Sequence, residues 1–250
     1  MASTATTKRT VLITGASRGL GLGIARNLVA SGYGVIAVSR TKSDELKSLL
    51  DQATGGDAVL HFVAFDLSKV DEIPQLVRTL RNDFGPLFGL VNNAAVGHSG
   101  PLSLMHNSQI EELLRINTLA PIILSKYVVR SMMSEGAGRI VNVASIVGFS
   151  GYTGLSVYAA TKASMLGFTR SLSREVGKLG ITVNAIAPGF LDTEMTSALG
   201  EEQRSQVARR SALRKLASVE DVAHMVAYLF SDKAQHISGT VITVDAGATA

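Results

Sequence analysis

The chain has 250 residues, 46% of them hydrophobic, with a formal net charge of +4 and no cysteine. This composition can bury one large core, so we expect a single domain over residues 10–250 behind a flexible tail of residues 1–9. The absence of cysteine excludes disulfides and thiolate metal sites. No signal peptide and no apolar run of membrane length is seen, so we expect a cytoplasmic protein without a membrane span. The cations are scattered and aromatic residues are few, so we expect no nucleic-acid partner.

Short β-branched runs alternate with helical stretches along the chain. Strands are predicted over residues 10–14, 34–39, 60–64, 89–92, 138–143, 182–187 and 240–245. Helices are predicted near residues 21–31, 42–52, 73–84, 107–133, 157–179 and 219–230. Such alternation is typical of crossover units in a parallel sheet that is buried on both faces, so we expect an α/β fold.

The helix predicted over residues 107–133 has more apolar positions than one face requires. A wide apolar surface favours burial on two sides, one against the sheet and the other against a second subunit. A helix that is fully covered within its own core would show the same pattern, so both interpretations stay open.

A glycine-rich turn follows the first predicted strand. Its sequence runs Thr14-Gly15-Ala16-Ser17-Arg18-Gly19-Leu20-Gly21, and a helical pattern begins there. Glycines permit a tight turn and close approach of the backbone to a pyrophosphate, while the N–H groups and dipole of the helix N-terminus attract the anion. The spacing G-x-x-x-G-x-G differs from the common G-x-G-x-x-G fingerprint, so it is the position between strand and helix that indicates a dinucleotide site.

The end of the second predicted strand indicates which dinucleotide is used. A carboxylate there would hold a ribose 2′-hydroxyl, whereas cations would hold a 2′-phosphate. The chain has Ser39-Arg40-Thr41, with no acid before Asp44 and with Arg18 in the neighbouring turn. Guanidinium groups and hydroxyls suit a dianionic phosphate, so we expect NADP(H) as the cofactor. Alternatively, Arg40 is only an exposed charge at a strand end.

Tyr158 and Lys162 stand one helical turn apart, and Ser145 precedes them by thirteen residues. Positions i and i+4 lie on one face of a helix, so the phenol and the ammonium can share a pocket in which the cation lowers the pKa of the phenol. This arrangement predicts a general acid for a carbonyl oxygen, with Ser145 as a second hydrogen-bond donor. A half-buried Tyr beside a solvated Lys would have the same spacing.

Together these residues resemble the short-chain dehydrogenases/reductases, from about Thr10 to the C-terminus. The resemblance rests on motifs in family order: Thr14-Gly15-x-x-x-Gly19-x-Gly21, Asp66-Leu67, Asn92-Asn93-Ala94, Asn117, Ser145, Tyr158-x-x-x-Lys162 and Pro188-Gly189-x-x-x-Thr193. One departure is Ala95, where the family usually has glycine. The resemblance implies a Rossmann-type, doubly wound sheet of seven parallel strands, with helices on both faces and the active site at the carboxyl ends of the strands.

The resemblance also implies catalytic roles. Tyr158 would be the general acid, Lys162 would lower its pKa and bind the nicotinamide ribose, and Ser145 would orient the carbonyl. Asn117 would hold a water in a proton relay. Alternatively, Asn117 could cap backbone groups within a kinked helix.

Cofactor contacts follow from the glycine turn, the second strand and the resemblance. The cofactor-binding residues are expected to be Thr14, Gly15, Ser17, Arg18, Gly19, Leu20, Gly21, Ser39, Arg40, Asp66, Leu67, Asn93, Ala94, Tyr158, Lys162, Pro188, Gly189, Leu191 and Thr193. Asp66 could instead cap the turn after its strand, and the Pro188-Gly189 pair could be only a turn.

Within the family, residues 145–148 and 187–196 are most similar to the 3-oxoacyl-[acyl-carrier-protein] reductases. This similarity implies an acyl thioester substrate, a homotetramer and docking of an acidic carrier protein on Arg130 and Arg174. The substrate would contact Ser145, Tyr158, Phe190 and Met195. The segment from Phe190 to about Leu213 is apolar enough to cover an acyl chain, and its glycine and polar residues could let it open.

Other substrates and functions stay open. Residues 97–109 do not resemble the usual reductase sequence, and the substrate could be an acyl-CoA, a polyketide or another hydrophobic ketone. A dinucleotide-binding sensor without catalysis is a third reading. The histidines and carboxylates show no metal-ligand spacing, so we expect no metal.

Overall fold

The computed structural model describes residues 9–53, 59–191 and 201–250. Seven parallel strands form one sheet in the order β3-β2-β1-β4-β5-β6-β7. The strands are β1 Thr10–Thr14, β2 Gly34–Ser39, β3 Leu60–Ala64, β4 Leu87–Asn92, β5 Gly138–Val143, β6 Ile181–Pro188 and β7 Val241–Val244.

The described residues form α-helices between and after these strands, together with short 3₁₀ turns. The helices are α1 Gly19–Ala30, α2 Asp44–Ala53, α3 Ile73–Phe84, α4 Asn107–Leu114, α5 Ala120–Glu135, α6 Ser156–Val176, α7 Glu201–Arg210 and α8 Val219–Phe230. None of them combines the length and apolar character needed to cross a bilayer.

Helices cover both faces of the sheet. One core cluster joins the sheet to α1, α2 and α8, and a second joins it to α3, α5 and the end of α6. Strand β1 shows the alternation directly, because Val11 and Ile13 belong to the first cluster and Leu12 to the second. The predicted doubly wound α/β fold is therefore confirmed.

The predicted strands agree closely with the structure. Four have the predicted bounds, and β4 begins two residues early because Leu87 and Phe88 precede an irregularity in its register with β1. Helix α7 was missed as an element, since its sequence is almost entirely polar and carries no apolar period. Residues 1–8 of the predicted tail lie outside the described residues.

The single helix predicted over residues 107–133 is instead three segments. Helix α4 passes into a π-helical segment, Arg115–Leu119, before α5 begins with Pro121 in its first turn. A π turn accommodates one extra residue, so the direction of the side chains shifts between α4 and α5. That shift turns Asn117 inward, where it is buried.

The strand order reverses beside β1, which pairs with β2 on one side and β4 on the other. Because the strands are parallel, the chain leaves β1, β4, β5 and β6 at the same edge of the sheet. Crevices at such a switch point bind ligands in open α/β sheets. The glycine turn, Ser145 and Pro188 all lie at this edge.

Candidate active site

The glycine turn brings β1 and α1 close to the end of β4. Gly15 has a φ of +66° and donates its N–H to the Val38 carbonyl at 2.8 Å. A β-carbon at Gly15 would lie 2.8 Å from Ala94 Cα, and one at Gly21 would lie 2.2 Å from the Gly15 oxygen. The predicted turn therefore requires glycine at both positions.

The N-terminus of α1 is arranged to receive an anion. Its N-cap residue, Arg18, makes no side-chain cap, and its first turn contains no acidic residue. The first N–H groups of a helix have no partner within the helix, and the helix dipole adds positive potential there. Together with the close glycine backbone, these features fit the pyrophosphate of a dinucleotide.

Thr14 and Asn93 hold the turn in place. The Thr14 hydroxyl accepts the N–H groups of Asn93 and Ala94, each at 3.0 Å. The Asn93 amide donates to the carbonyls of Thr14 at 2.9 Å and Gly15 at 3.2 Å. Thr14 and Asn93 were predicted to bind the cofactor. Their side chains instead hydrogen-bond the backbone of the glycine turn and of the loop after β4, and so hold these two walls of the cleft together.

Two arginines border the corner where β2 ends. Arg18 and Arg40 are both exposed, and the Ser39 hydroxyl donates to the Thr41 carbonyl at 2.9 Å. The Ser43 hydroxyl donates to the carbonyl of Ser17, which ties α2 to the glycine turn. The guanidinium groups of Arg18 and Arg40 therefore border a corner whose backbone is held by hydrogen bonds from Ser39 and Ser43, and guanidinium groups suit a phosphate.

Asp66 lies close to this corner, with Leu67 half-buried after it. Its Oδ1 accepts the Ser68 N–H at 2.9 Å, so the side chain caps the turn after β3, as the structural alternative proposed. Hydrogen bonds from Ser68 and, to a smaller extent, the charge of Arg40 lower the pKa of the Asp66 carboxyl.

Helix α6 and strand β5 place Lys162 beneath Tyr158. The Lys162 side chain is 4% exposed, and its Nζ donates to the Val143 carbonyl at 2.8 Å. The same Nζ lies 5.7 Å from the centre of the Tyr158 ring. An ammonium has three N–H donors, so this buried cation retains capacity for a ligand beside the tyrosine.

The pKa of Tyr158 is shifted in the direction opposite to the prediction. Burial raises it to about 12, and burial lowers the pKa of Lys162 to about 8. Both shifts have one cause, because a low-dielectric site disfavours phenolate and ammonium alike. The spacing was correct, but the predicted fall in the tyrosine pKa does not occur in the protein alone.

Ser145 and Tyr158 both present available hydroxyl groups. Ser145 caps a short 3₁₀ turn, Ile146–Gly148, and its Oγ accepts the Val147 N–H at 3.3 Å. Among the described residues, nothing accepts the Ser145 hydroxyl hydrogen or hydrogen-bonds the Tyr158 hydroxyl. These groups can therefore act on a bound carbonyl.

Asn117 caps backbone groups, as the alternative interpretation proposed, but these groups belong to Val96 in the loop after β4 and not to a helix. Its Oδ1 accepts the Val96 N–H, and its Nδ2 donates to the Val96 carbonyl, both at 2.9 Å. Its Nδ2 also donates to the Thr161 hydroxyl at 3.2 Å. The side chain thus joins the π segment to the loop after β4 and to α6.

The far wall of the cleft follows β6. Gly189 approaches Asp245 closely, since a β-carbon there would lie 2.7 Å from Asp245 Cβ. Pro188 ends β6, and Leu191 is buried and bridges to Ala217. Thr193 and Met195 lie outside the described residues.

Two aromatic residues were missed by the sequence analysis, namely Tyr152, which contacts Phe190, and the exposed Phe149. The rings of Phe190 and Tyr152 pack with centres 5.3 Å apart, and Phe149 is half exposed. Their only signal in the sequence is the presence of two aromatic residues between Ser145 and Tyr158. Tyr152 adds apolar surface beside Phe190, a predicted substrate residue.

The predicted docking arginines lie away from the tyrosine. Arg130 and Arg174 are exposed and lie in the last third of α5 and α6, which cover the same sheet face. Sixteen residues of helix separate Tyr158 from Arg174, or about 24 Å along the axis. The Arg130 guanidinium lies 5.2 Å from the Tyr127 ring centre.

Nowhere in residues 9–53, 59–191 and 201–250 do three or more metal-ligating side chains cluster.

Comparison with known proteins defines the class. The family described as short chain dehydrogenase matches residues 9–204, and the fold and motif positions agree with it. The chain therefore belongs to the short-chain dehydrogenase family, as the sequence resemblance predicted.

Individual relatives have different names. 3-oxoacyl-[acyl-carrier-protein] reductase FabG of Salmonella typhimurium is 37% identical over 236 residues, which cover 94% of this chain and 95% of that protein. The structure of a blue fluorescent protein from a metagenomic library, in complex with NADPH, is 31% identical with a TM-score of 0.90, over 97% of this chain and 98% of that one. ElxO with NADP bound is 28% identical with a TM-score of 0.88, over 96% and 98%.

Proposed function

We propose that this protein uses NADPH to reduce the 3-oxo group of an acyl thioester to a 3-hydroxyl group. As a member of its family it is an NAD(P)-dependent oxidoreductase that acts on CH–OH and C=O groups. The observation that carries the proposal is the Tyr158 hydroxyl, which no described residue hydrogen-bonds, above the buried Lys162 and at the sheet edge that also carries the glycine turn.

NADP(H) is the cofactor that fits the described residues. The helix α1 N-terminus would hold the pyrophosphate, Arg18 and Arg40 the 2′-phosphate, and Lys162 the ribose beside the nicotinamide. ElxO and the blue fluorescent protein, which are similar over almost the whole chain, have NADP and NADPH bound. Reduced nicotinamide, when bound, supplies the hydride.

Tyr158 would supply the proton. With a pKa of about 12 its phenol stays protonated at neutral pH, so it can donate to the carbonyl oxygen as that oxygen gains negative charge. The Lys162 cation would then stabilise the phenolate that remains. Ser145 would donate a second hydrogen bond to the same oxygen, which polarises the carbonyl and fixes its orientation.

Asn117 would support this proton transfer by holding a relay water and by fixing the π segment. Its Oδ1 keeps one lone pair after accepting the Val96 N–H, which leaves room for the relay water that the family resemblance implies. Its main contribution is to hold the π segment against α6.

The similarity to the carrier-protein reductases supports an acyl carrier as the partner. Arg130 and Arg174 are exposed on α5 and α6, which both contribute to the core on one sheet face, and so are available to an acidic surface. Exposed apolar side chains on the α4-to-α5 segment, Leu114, Leu119 and Met133, support a homo-oligomer, and the family resemblance implies a homotetramer.

A second candidate function is reduction of another hydrophobic ketone, free or linked to coenzyme A. The exposed Phe149 and the Tyr152–Phe190 pair favour it, because aromatic rings near the site bind apolar groups of many shapes.

The test compares the same 3-oxoacyl group on a carrier protein and on coenzyme A, with NADPH oxidation followed by absorbance. We expect turnover of both, and Arg130→Glu should reduce only the carrier-linked rate. Arg78→Glu is the matched control, since Arg78 is an exposed arginine on α3 of the same face. No oxidation with any thioester or ketone, despite tight NADPH binding, would contradict the proposal and support the sensor.

A further inference from the structure

Thr161 lies inside the Tyr158-to-Lys162 turn, and the proposed chemistry does not use it. Its side chain is fully buried. Its hydroxyl donates to the Tyr158 carbonyl at 2.7 Å and accepts the Asn117 amide at 3.2 Å. The donor of the hydroxyl and one of its two acceptor positions are therefore used on residues of the candidate active site.

The first of these contacts acts on the backbone of Tyr158. In a regular helix that carbonyl accepts the N–H of the residue four positions later, which is Lys162. The Thr161 hydroxyl adds a second donor, and such contacts to the preceding turn bend a helix locally. Thr161 thus helps to determine the direction in which the Tyr158 side chain leaves α6.

The second contact connects this turn to the opposite side of the cleft. Asn117 is held by both backbone groups of Val96, in the loop that follows β4. A continuous chain of buried and partly buried hydrogen bonds therefore runs from Val96 through Asn117 and Thr161 to Tyr158. Satisfied polar networks of this kind specify one geometry, because a break leaves a buried group without a partner.

A neighbouring contact provides an internal comparison. The Thr118 and Ser164 hydroxyls lie 3.0 Å apart, and Ser164 donates to the Thr161 carbonyl at 2.6 Å. This contact also ties the π segment to α6, but it does not reach the Tyr158 carbonyl. It can therefore separate general attachment of the π segment from control of the tyrosine.

We infer that Thr161 is a positioning residue that fixes the Tyr158 hydroxyl relative to Lys162 and to the reacting carbonyl. The inference rests on the proposed function, in which Tyr158 is the proton donor. Small misplacements of a reacting group reduce rates strongly, by up to about 100-fold for 1 Å. Thr161 would therefore affect the chemical step more than the binding of NADPH.

The test uses Thr161→Val, which keeps the shape and removes both hydrogen bonds, and Thr161→Ser, which keeps them. We expect kcat to fall about 10- to 100-fold in the valine variant. The KM for NADPH should stay near wild type, and the serine variant should recover most of the activity. Thr118→Val, the matched control, should keep nearly full kcat.

Two further readouts distinguish positioning from simple loss of folded protein. The isotope effect with NADPH deuterated at the transferred position should rise in Thr161→Val, because a slowed chemical step becomes more rate-limiting. The pH profile of kcat should also move. If the valine variant does not fold, Thr161→Ala removes the same hydroxyl and is measured in its place.

Wild-type kcat, isotope effect and pH profile in a variant without the hydroxyl would overturn the inference while the proposed function stands. A fall in activity that follows only the folded fraction, or that Thr118→Val shares equally, would also overturn it. A wild-type enzyme that reduces no ketone would refute the proposed function, and this inference with it.

Discussion

Replacing Lys162 with methionine tests how the buried cation contributes to the reaction. The change keeps most of the side-chain length and removes a charge that lies 5.7 Å from the Tyr158 ring centre. At an effective dielectric constant of about 20, a unit charge at that distance stabilises a phenolate by about 3 kcal/mol. A barrier increase of that size corresponds to a rate loss of about 100-fold.

The assay is kcat for NADPH-dependent ketone reduction at saturating NADPH, so that weaker ribose binding does not enter. Lys178→Met is the matched control, because Lys178 is an exposed lysine just beyond α6. Thermal unfolding should show that both variants are folded. If Lys162→Met keeps more than a third of the wild-type kcat, the cation does not stabilise the phenolate and our reasoning is refuted.

Three further predictions follow from the same geometry. Burial lowers the pKa of Lys162 to about 8, so kcat should fall as the pH rises through 8 and the cation is lost, and a pH–rate profile that stays flat up to pH 10 would argue against this role. Arg40→Ala should weaken NADPH far more than NADH in binding titrations, by about tenfold or more for a charge-assisted contact, and equal effects on both would refute the phosphate assignment. Gly21→Ala should abolish binding of both dinucleotides, because its β-carbon would lie 2.2 Å from the Gly15 oxygen, and unchanged affinity would show that the turn does not hold the pyrophosphate.

The lowered pKa of Lys162 also has a consequence for stability. Below pH 8 the folded and unfolded chains both carry the proton, and folding then includes the cost of burying the charge. Between pH 8 and the ordinary lysine pKa of 10.5 the unfolded chain binds more protons, so the free energy of unfolding contributed by Lys162 rises with pH.

The architecture was readable from the sequence because local patterns determine it. Strand β1 is predicted by a short apolar run. The turn after it is predicted by glycines, which tolerate close approach of the backbone. The alternation of strands and helices then predicts a parallel sheet, and parallel strands bring Ser145 and the glycine turn to one edge.

A kinked helix was only one alternative for Asn117, and the bounds and π character of the segment could not be predicted, because their cause is not local. Apolar residues continue through it, so the sequence from Asn107 onwards looks like one long helix. What stabilises the break is a pair of hydrogen bonds between Asn117 and Val96, which are 21 residues apart. Helix α7 was missed for a different reason, since a polar helix has no apolar period to detect.

For Tyr158 the sequence predicted the neighbouring Lys162 correctly but the direction of the pKa shift wrongly. Spacing along a helix predicts that Lys162 is close, and the structure agrees, but a pKa depends on burial as well as on neighbours. Burial depends on how α6 packs against β5, and this packing hides both groups and raises the tyrosine pKa. The contact between the Tyr152 and Phe190 rings also depends on tertiary packing, because the two rings come from different loops, and it could not be predicted from the sequence.

The central claim is that the Tyr158 hydroxyl delivers the proton. Tyr158→Phe is a clean substitution, because no described residue hydrogen-bonds this hydroxyl and none would lose a partner. Steady-state reduction of a 3-oxoacyl thioester should fall by at least 100-fold, the scale of general acid catalysis, while the Kd for NADPH stays near wild type. Turnover close to wild type in this variant would contradict the account.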